Sequence, residues 1–257
     1  NTPGLKFLCR ESLDLGRSHF DHPLGSRFEE MDAMVFFNDV LVPWERVFLL
    51  GDVELCNNWG VATNRNVHTG QQVVTKQVVK AEFMLGLANL MVQTLGSDQV
   101  PHVQQMIAEI IENLEVTKAC LHAAEADARL DQWGVMCPAQ FPLMIARAQF
   151  IRSYPRMAEI LHMLGSSSLM ALPTEADING PLADEIHRYM GTDTASAEER
   201  VRLFRLAWDT CCSAFATRQV LYERWFGGDS FRNAIILANV YDREPMTHWV
   251  REFLEQE

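Results

Sequence analysis

The chain has 257 residues, 48% of them hydrophobic, which is enough for a sizeable core but leaves open one large domain or part of something longer. Its formal charge of −12 and the lack of any basic run exclude a nucleic-acid groove or an anionic membrane surface, since both need clustered Lys and Arg. The six cysteines, at 9, 56, 120, 137, 211 and 212, form no C-x-x-C pair and read as reduced thiols packed as small hydrophobes.

The chain starts at Asn1, and Gly4-Leu5-Lys6-Phe7-Leu8 reads as a strand already in progress, with no signal peptide ahead of it. These features suggest a soluble, cytoplasmic fragment whose N-terminal portion is absent. Residues 1–50 are expected to hold three or four short strands, with Asp21-His22-Pro23 and Gly25 as turns. The most β-prone run is Val35-Phe36-Phe37 and Val40-Leu41-Val42, interrupted by Asn38-Asp39 and closed by Pro43. From Asp52, a candidate N-cap, everything reads as helix.

A long helix is expected from Gln71 to about Leu95, apolar on most faces and therefore central in a bundle or at a subunit interface. Gly96 ends it. A second helix is expected from about Asp98 to Gln132, with a stripe from Val103 through Met106, Ile110 and Leu114 to Ala128. A third covers about Pro142 to Leu164, kinked or divided by Pro155. A short helix follows near Leu182 to Tyr189. Ser196 and Glu199 form a capping box that opens one helix from Ala197 to Phe226. Beyond Gly227-Gly228-Asp229 lie two short helices parted near Glu244-Pro245. The fold class is mainly α: an antiparallel helical bundle (residues 51–257) preceded by a short β remnant (1–50). No segment reads as a membrane span, because Lys76, Lys80 and Glu82 break the most apolar stretch.

Three loop or helix-end sites carry candidate binding chemistry. Gly165-Ser166-Ser167-Ser168 offers bare amides and hydroxyls to a phosphate, and is as readily a plain helix stop. Gly227-Gly228-Asp229-Ser230 is similar, and on the residues alone Asp229 is better read as a helix cap. His68, Gln71, Gln72 and Lys76 put polar groups on the first turns of an apolar helix, although a lone histidine there is more often satisfied by its neighbours. The histidines have no ligand spacing, so no metal is assigned. No P-loop, G-x-G-x-x-G or G-x-S-x-G occurs, and no catalytic residue is assigned.

Four runs in order resemble the 4-hydroxyphenylacetate 3-hydroxylase family: HPLGSRFEEMDAMVFFNDVLVPWERVFLLGDVELCNNW (22–59), HTGQQVVTKQVVKAEFMLG (68–86), LGSSSLMALPTEADINGPL (164–182) and RQVLYERWFGGDSFR (218–232). The resemblance implies the oxygenase component of a two-component flavin monooxygenase, built on the acyl-CoA dehydrogenase-like fold and assembling as a homotetramer. It implies ortho-hydroxylation of a phenol by O2 and FADH2, the latter supplied by a separate NAD(P)H-dependent flavin reductase. The family's phenol-binding residues fall upstream of Asn1. The matching cofactor contacts are Gly227, Gly228, Asp229 and Ser230, together with Gly165 and Ser166; His68 and Gln72 approach the flavin.

Three other readings share this fold. A 4-hydroxybutyryl-CoA dehydratase pairs a histidine with a cysteine seven positions on, where His68 is followed by Thr75, so an iron–sulfur cluster is not expected. An acyl-CoA dehydrogenase needs a carboxylate base, and none is assignable. The third reading is a non-catalytic oligomerisation fragment.

Overall fold

The computed structural model describes residues 2–255; Asn1, Gln256 and Glu257, the outer ends of the two expected segments, lie outside it. Among the described residues the N-terminal segment holds one antiparallel ribbon, β1 (Leu5–Cys9) against β2 (Ala33–Phe37), with Leu5 opposite Phe37 and Cys9 opposite Ala33. The expected three or four strands are therefore two. Asp39 takes a left-handed φ of 54° at the Asn38-Asp39 step, and the 41–51 stretch forms no ladder, only a 3-10 turn at Trp44–Arg46. Between the strands, one short helical turn, α1 (Gly25–Phe28), folds back toward the bundle.

Asp52 caps α2 (Val53–Ala62) as expected, its Oδ1 accepting from the Leu55 amide at 2.8 Å. Asn64, at a φ of 53° that asparagine tolerates, turns the chain into α3 (Arg65–Thr94), which begins upstream of the expected Gln71. α4 (Pro101–Ala126) returns along α3 and stops before the expected Gln132. Asp131 draws the chain into a turn, accepting from the Trp133 and Val135 amides at 2.8 and 3.0 Å, and a hairpin forms between β3 (Arg129–Leu130) and β4 (Met136–Cys137). The expectation that the chain after Asp52 is helical, with no strand, thus fails here.

α5 (Gln140–Gly165) runs through Pro155 without division, held on both sides by buried Tyr154, Met157 and Ala158. α6 (Ser167–Met170), α7 (Glu175–Ile178) and α8 (Ala183–Tyr189) lead to α9 (Ala197–Cys211), whose Ser196–Glu199 capping box forms as expected. The single helix expected to Phe226 is two. Ser213 accepts from the Ala216 amide, donates to Asp209, and so restarts the chain as α10 (Ala214–Trp225). At this break Cys212 leaves the helical path, with φ −116°, and its sulfur lies 3.6 Å from that of Cys211. The two thiols converge, although neighbours on a regular helix point about 100° apart. α11 (Ser230–Val240) lies on α5, and α12 (Glu244–Leu254) ends the described chain.

The core sits among α3, α4, α5 and α9, with Met84, Met91, Ile110, Phe150, Met157, Ile160, Leu161 and Phe204 essentially fully buried. Burying one such side chain is worth about 1.5–3 kcal/mol, so these apolar stripes determine the bundle. Val79, Phe83 and Leu90 leave a second apolar face of α3 exposed. No helix among the described residues is long and apolar enough to cross a membrane.

The ribbon is attached by two aspartates, one buried and one exposed. Asp209, fully buried in α9, accepts from the Leu24 and Gly25 amides at 2.7 and 2.6 Å and from Ser213 at 2.8 Å. Asp32 at the start of β2 bridges Arg10 (2.9 Å) and Arg218 of α10 (2.7 Å).

Candidate functional site

Two helix junctions, far apart in the chain, meet at one end of the bundle. Gly70 in the second turn of α3 packs on Leu143 of α5, where an added Cβ would make an ordinary contact at 3.5 Å. Across this contact the Gly227-Gly228 break comes down beside α5, where Arg147 Nη2 donates to the Gly227 carbonyl at 3.0 Å. A cleft of about 340 Å³ opens there, walled by Arg65 and Asn66 of α3, Arg147 of α5, Gly227 and Gly228, and Arg232 and Asn233 of α11.

The cleft's charge sets it apart from the rest of the surface. Three of its lining residues are arginines and none is acidic, in a chain of net charge −12. Arg147 is the deepest of the three. Its Nε is buried without a hydrogen-bond partner, and burial pulls its pKa below the usual arginine value. An arginine with no carboxylate beside it, and a free buried donor, calls for an anion. Gly228 has φ +88° and a Cβ there would sit 2.9 Å from Asn233 Oδ1; Asn233 in turn donates to the carbonyls of Gly227 and Gly228 at 2.9 and 3.3 Å. The break is therefore a defined turn that only glycine adopts without strain.

The other sequence candidates fall variously around this cleft. Asp229 caps α11, accepting from the Arg232 amide at 2.7 Å, and Ser230 is the exposed first residue of that helix. Gln72 is exposed and does not line the cleft. His68 is half-buried and outside it, near Asp131, whose carboxyl is held below its ordinary pKa chiefly by the Val135 amide, with His68 adding to the effect.

Gly165 and Ser166 do not join the cleft within one chain. Gly165 is buried against Leu169 and Met91, and an added Cβ would lie 2.4 Å from Leu169 Cδ1, so its glycine is required by packing. Met91 and the cleft residue Gly70 are separated along α3 by a rise of about 30 Å at 1.5 Å per residue. Ser168 already accepts from Arg200 at 3.0 Å. Ser166 is exposed, with an unusual φ of 43° and ψ of −129°.

A second cleft, of about 540 Å³ and mostly apolar, lies between the N-terminal segment and α3, α5 and α10, lined among others by Leu24, Phe28, Phe83, Tyr154 and Tyr222. Its floor carries Lys76 and Lys80, both bound to Glu223, which is 2% exposed. Burial lowers the pKa of Lys76 and pushes that of Tyr154 up. Both lysines donate hydrogen bonds to Glu223, and the cleft's surface is mostly apolar. Arg65, Arg147, Arg232, Asn233, Lys80 and Glu223 had no sequence signal, whereas Lys76 was among the polar groups noted on the long apolar helix. Arg147 lies 80 positions from its carbonyl partner, and no local motif links them.

Comparison with known proteins gives the same direction throughout. Residues 56–255 match the family model described as 4-hydroxyphenylacetate 3-hydroxylase C terminal, and residues 1–49 match the corresponding N-terminal model. The 4-hydroxyphenylacetate 3-monooxygenase oxygenase component of Thermus thermophilus is 49% identical over 256 residues, covering 100% of this chain and 53% of its own. A crystal structure of an oxygenase component of that activity, complexed with FAD and 4-hydroxyphenylacetate, superposes with a TM-score of 0.95 at 49% identity, over 99% of this chain and 54% of that one. The 4-hydroxybutyryl-CoA dehydratase from N. maritimus shares the fold alone, with a TM-score of 0.86 at 16% identity, over 100% of this chain and 52% of that one. The chain spans about half the length of the curated relatives it matches. It belongs to the 4-hydroxyphenylacetate 3-hydroxylase family.

Proposed function

We propose that this chain is the flavin-binding and oligomerisation part of an oxygenase component that ortho-hydroxylates a phenol, such as 4-hydroxyphenylacetate, to a catechol. The observation that carries this reading is the acid-free cleft at Gly227-Gly228, where Arg147 presents a buried, unpartnered donor. Its residues fit the phosphate end of FAD: arginines neutralise the anion, and the glycine turn admits it close to the backbone. Arg65, Arg147 and Arg232 bind and orient that end, and Asn233 holds the turn in shape. Asp229 acts indirectly, by fixing the start of α11. When bound as FADH2, the cofactor supplies the O2-activating chemistry, and the protein's part is to position it and keep water away.

In this reading residues 1–50 finish a β-rich middle domain and residues 51–257 form the C-terminal bundle. The exposed apolar face of α3, with Val79, Phe83 and Leu90, and that of α12 support assembly as a homotetramer. There Ser166 and the Gly165 turn reach a cofactor across a subunit interface, and the helix around His68 and Gln72 approaches the flavin. The partners are a phenolic substrate, O2 and an NAD(P)H-dependent flavin reductase, in the cytoplasm. No catalytic residue is assigned within this chain.

The test is oxygen-dependent catechol formation by the full-length protein supplied with a flavin reductase and simple phenols. Product is expected, and its loss should follow Arg147→Met through a raised requirement for FADH2. No product from any simple phenol overturns the reading.

A further inference from the structure

A cluster of soft ligands lies at the opposite side of α9 from the ribbon clip, unused by anything above. Cys211 ends α9, Cys212 caps it, and His162 comes from the last turn of α5. One imidazole nitrogen and the two sulfurs lie within 4.8 Å of one another. His162 Nε2 donates to the Cys211 carbonyl at 2.6 Å, which holds the ring beside the thiols.

The sulfur separation is informative. The two Sγ atoms are 3.6 Å apart, too far for a bond between them, whose length is about 2.0 Å. With metal–sulfur bonds of about 2.3 Å, that separation corresponds to an S–metal–S angle of about 103°, close to tetrahedral. Cys211 is buried and its thiol donates to the Ala207 carbonyl, Cys212 is half-buried, and His162 is exposed, so an ion has a way in.

We propose that Cys211, Cys212 and His162 form a binding site for one thiophilic divalent ion of the zinc type, completed by water at the fourth position. The ion would bridge the α5 terminus and the α9–α10 break, joining two elements that set the far end of the bundle. The site takes no part in the flavin reading and stands without it.

The metal-free, reduced 257-residue chain is titrated with Co2+ and then with Zn2+ alone. A sulfur-to-cobalt charge-transfer absorption should grow to one ion per chain and vanish as Zn2+ displaces it. The absorption should persist in Cys9→Ser/Cys56→Ser, which removes two exposed thiols. It should be absent from Cys212→Ser, and His162→Gln, at an exposed position, should weaken binding roughly tenfold or more. Zn2+ should also raise the thermal midpoint of the native chain and leave that of Cys212→Ser unchanged. A chain without the sulfur–cobalt absorption, or one that keeps it in Cys212→Ser, overturns the proposal. So does a chain that only oxidises to a Cys211–Cys212 disulfide and takes up no ion when reduced.

Discussion

Asp209 and Gly25 are 184 positions apart, yet the Asp209 carboxylate accepts from the Gly25 amide at 2.6 Å inside the protein. The same oxygen takes the Leu24 amide at 2.7 Å, and His22 faces the other oxygen at 3.3 Å. A fully buried carboxylate thus serves as the receptor for a backbone turn, and it sets where the ribbon meets the bundle.

Removing that receptor should be costly. Asp209→Ala leaves two buried amides without acceptors, and hydrogen bonds to a charged group are worth about 1.5–3 kcal/mol. A loss of about 3 kcal/mol in urea unfolding is expected, with faster amide exchange confined first to residues 20–32. Exchange unchanged in that segment would mean the turn is held by packing alone.

Acid should loosen the second attachment. Arg218, and then Arg10, hold Asp32 at about 2, below its ordinary 3.8. A carboxyl with a depressed folded pKa stabilises the fold above its unfolded value and loses that contribution as pH falls from about 4 through about 2. Asp32 is 58% exposed, so solvent screening keeps the effect under about 1 kcal/mol. Comparing native chain and Asp32→Asn over that range should show the difference narrowing toward low pH and at high salt. A gap that is flat with pH contradicts the assignment.

The anion cleft separates binding from folding by two substitutions. Arg147→Met should weaken flavin binding by roughly tenfold or more, the loss of a charge-assisted contact, with little change in thermal midpoint. Gly228→Ala should lower stability by about 1–2 kcal/mol through its positive φ, and binding along with it. Equal affinity in Arg147→Met would remove the cleft from cofactor recognition.

The Gly165 loop should respond to backbone geometry. Ser166→Gly relieves a conformation that favours glycine and should raise stability by about 1 kcal/mol. Gly165→Ala should lower it by about 1–3 kcal/mol, because the new methyl meets Leu169. Leu169→Ala in the same chain should recover part of that loss, a non-additive result that calorimetry of the four variants would reveal.

Local chemistry was legible in the sequence, and long-range chemistry was not. The Ser196–Glu199 box, the Asp52 cap and the apolar stripe of α4 rest on contacts within a few residues or on period alone. The α9–α10 break was hidden because Ser213 acts through Asp209, and nothing nearby marks that aspartate as buried. The hairpin after α4 was hidden because its turn is made by one side chain, Asp131, although Gly134 and Pro138 mark a break in the chain there. Gly227-Gly228 was visible as a candidate, while two of the three arginines that give its cleft a charge, Arg65 and Arg147, come from the distant α3 and α5. The family was legible because long runs preserve many such contacts at once.

The last helix has a consequence of its own. Every described residue of α12 is exposed, and Met246, Trp249, Val250 and Phe253 recur along it at three- and four-residue steps. A helix of 11 residues is too short to persist unaided in water. In the proposed assembly a neighbouring subunit covers that stripe and supplies the order that the short helix lacks alone. Amide exchange along α12 becomes a gauge of association, fast in dilute solution and slowing as the concentration of chains rises, while the buried bundle keeps its own pace.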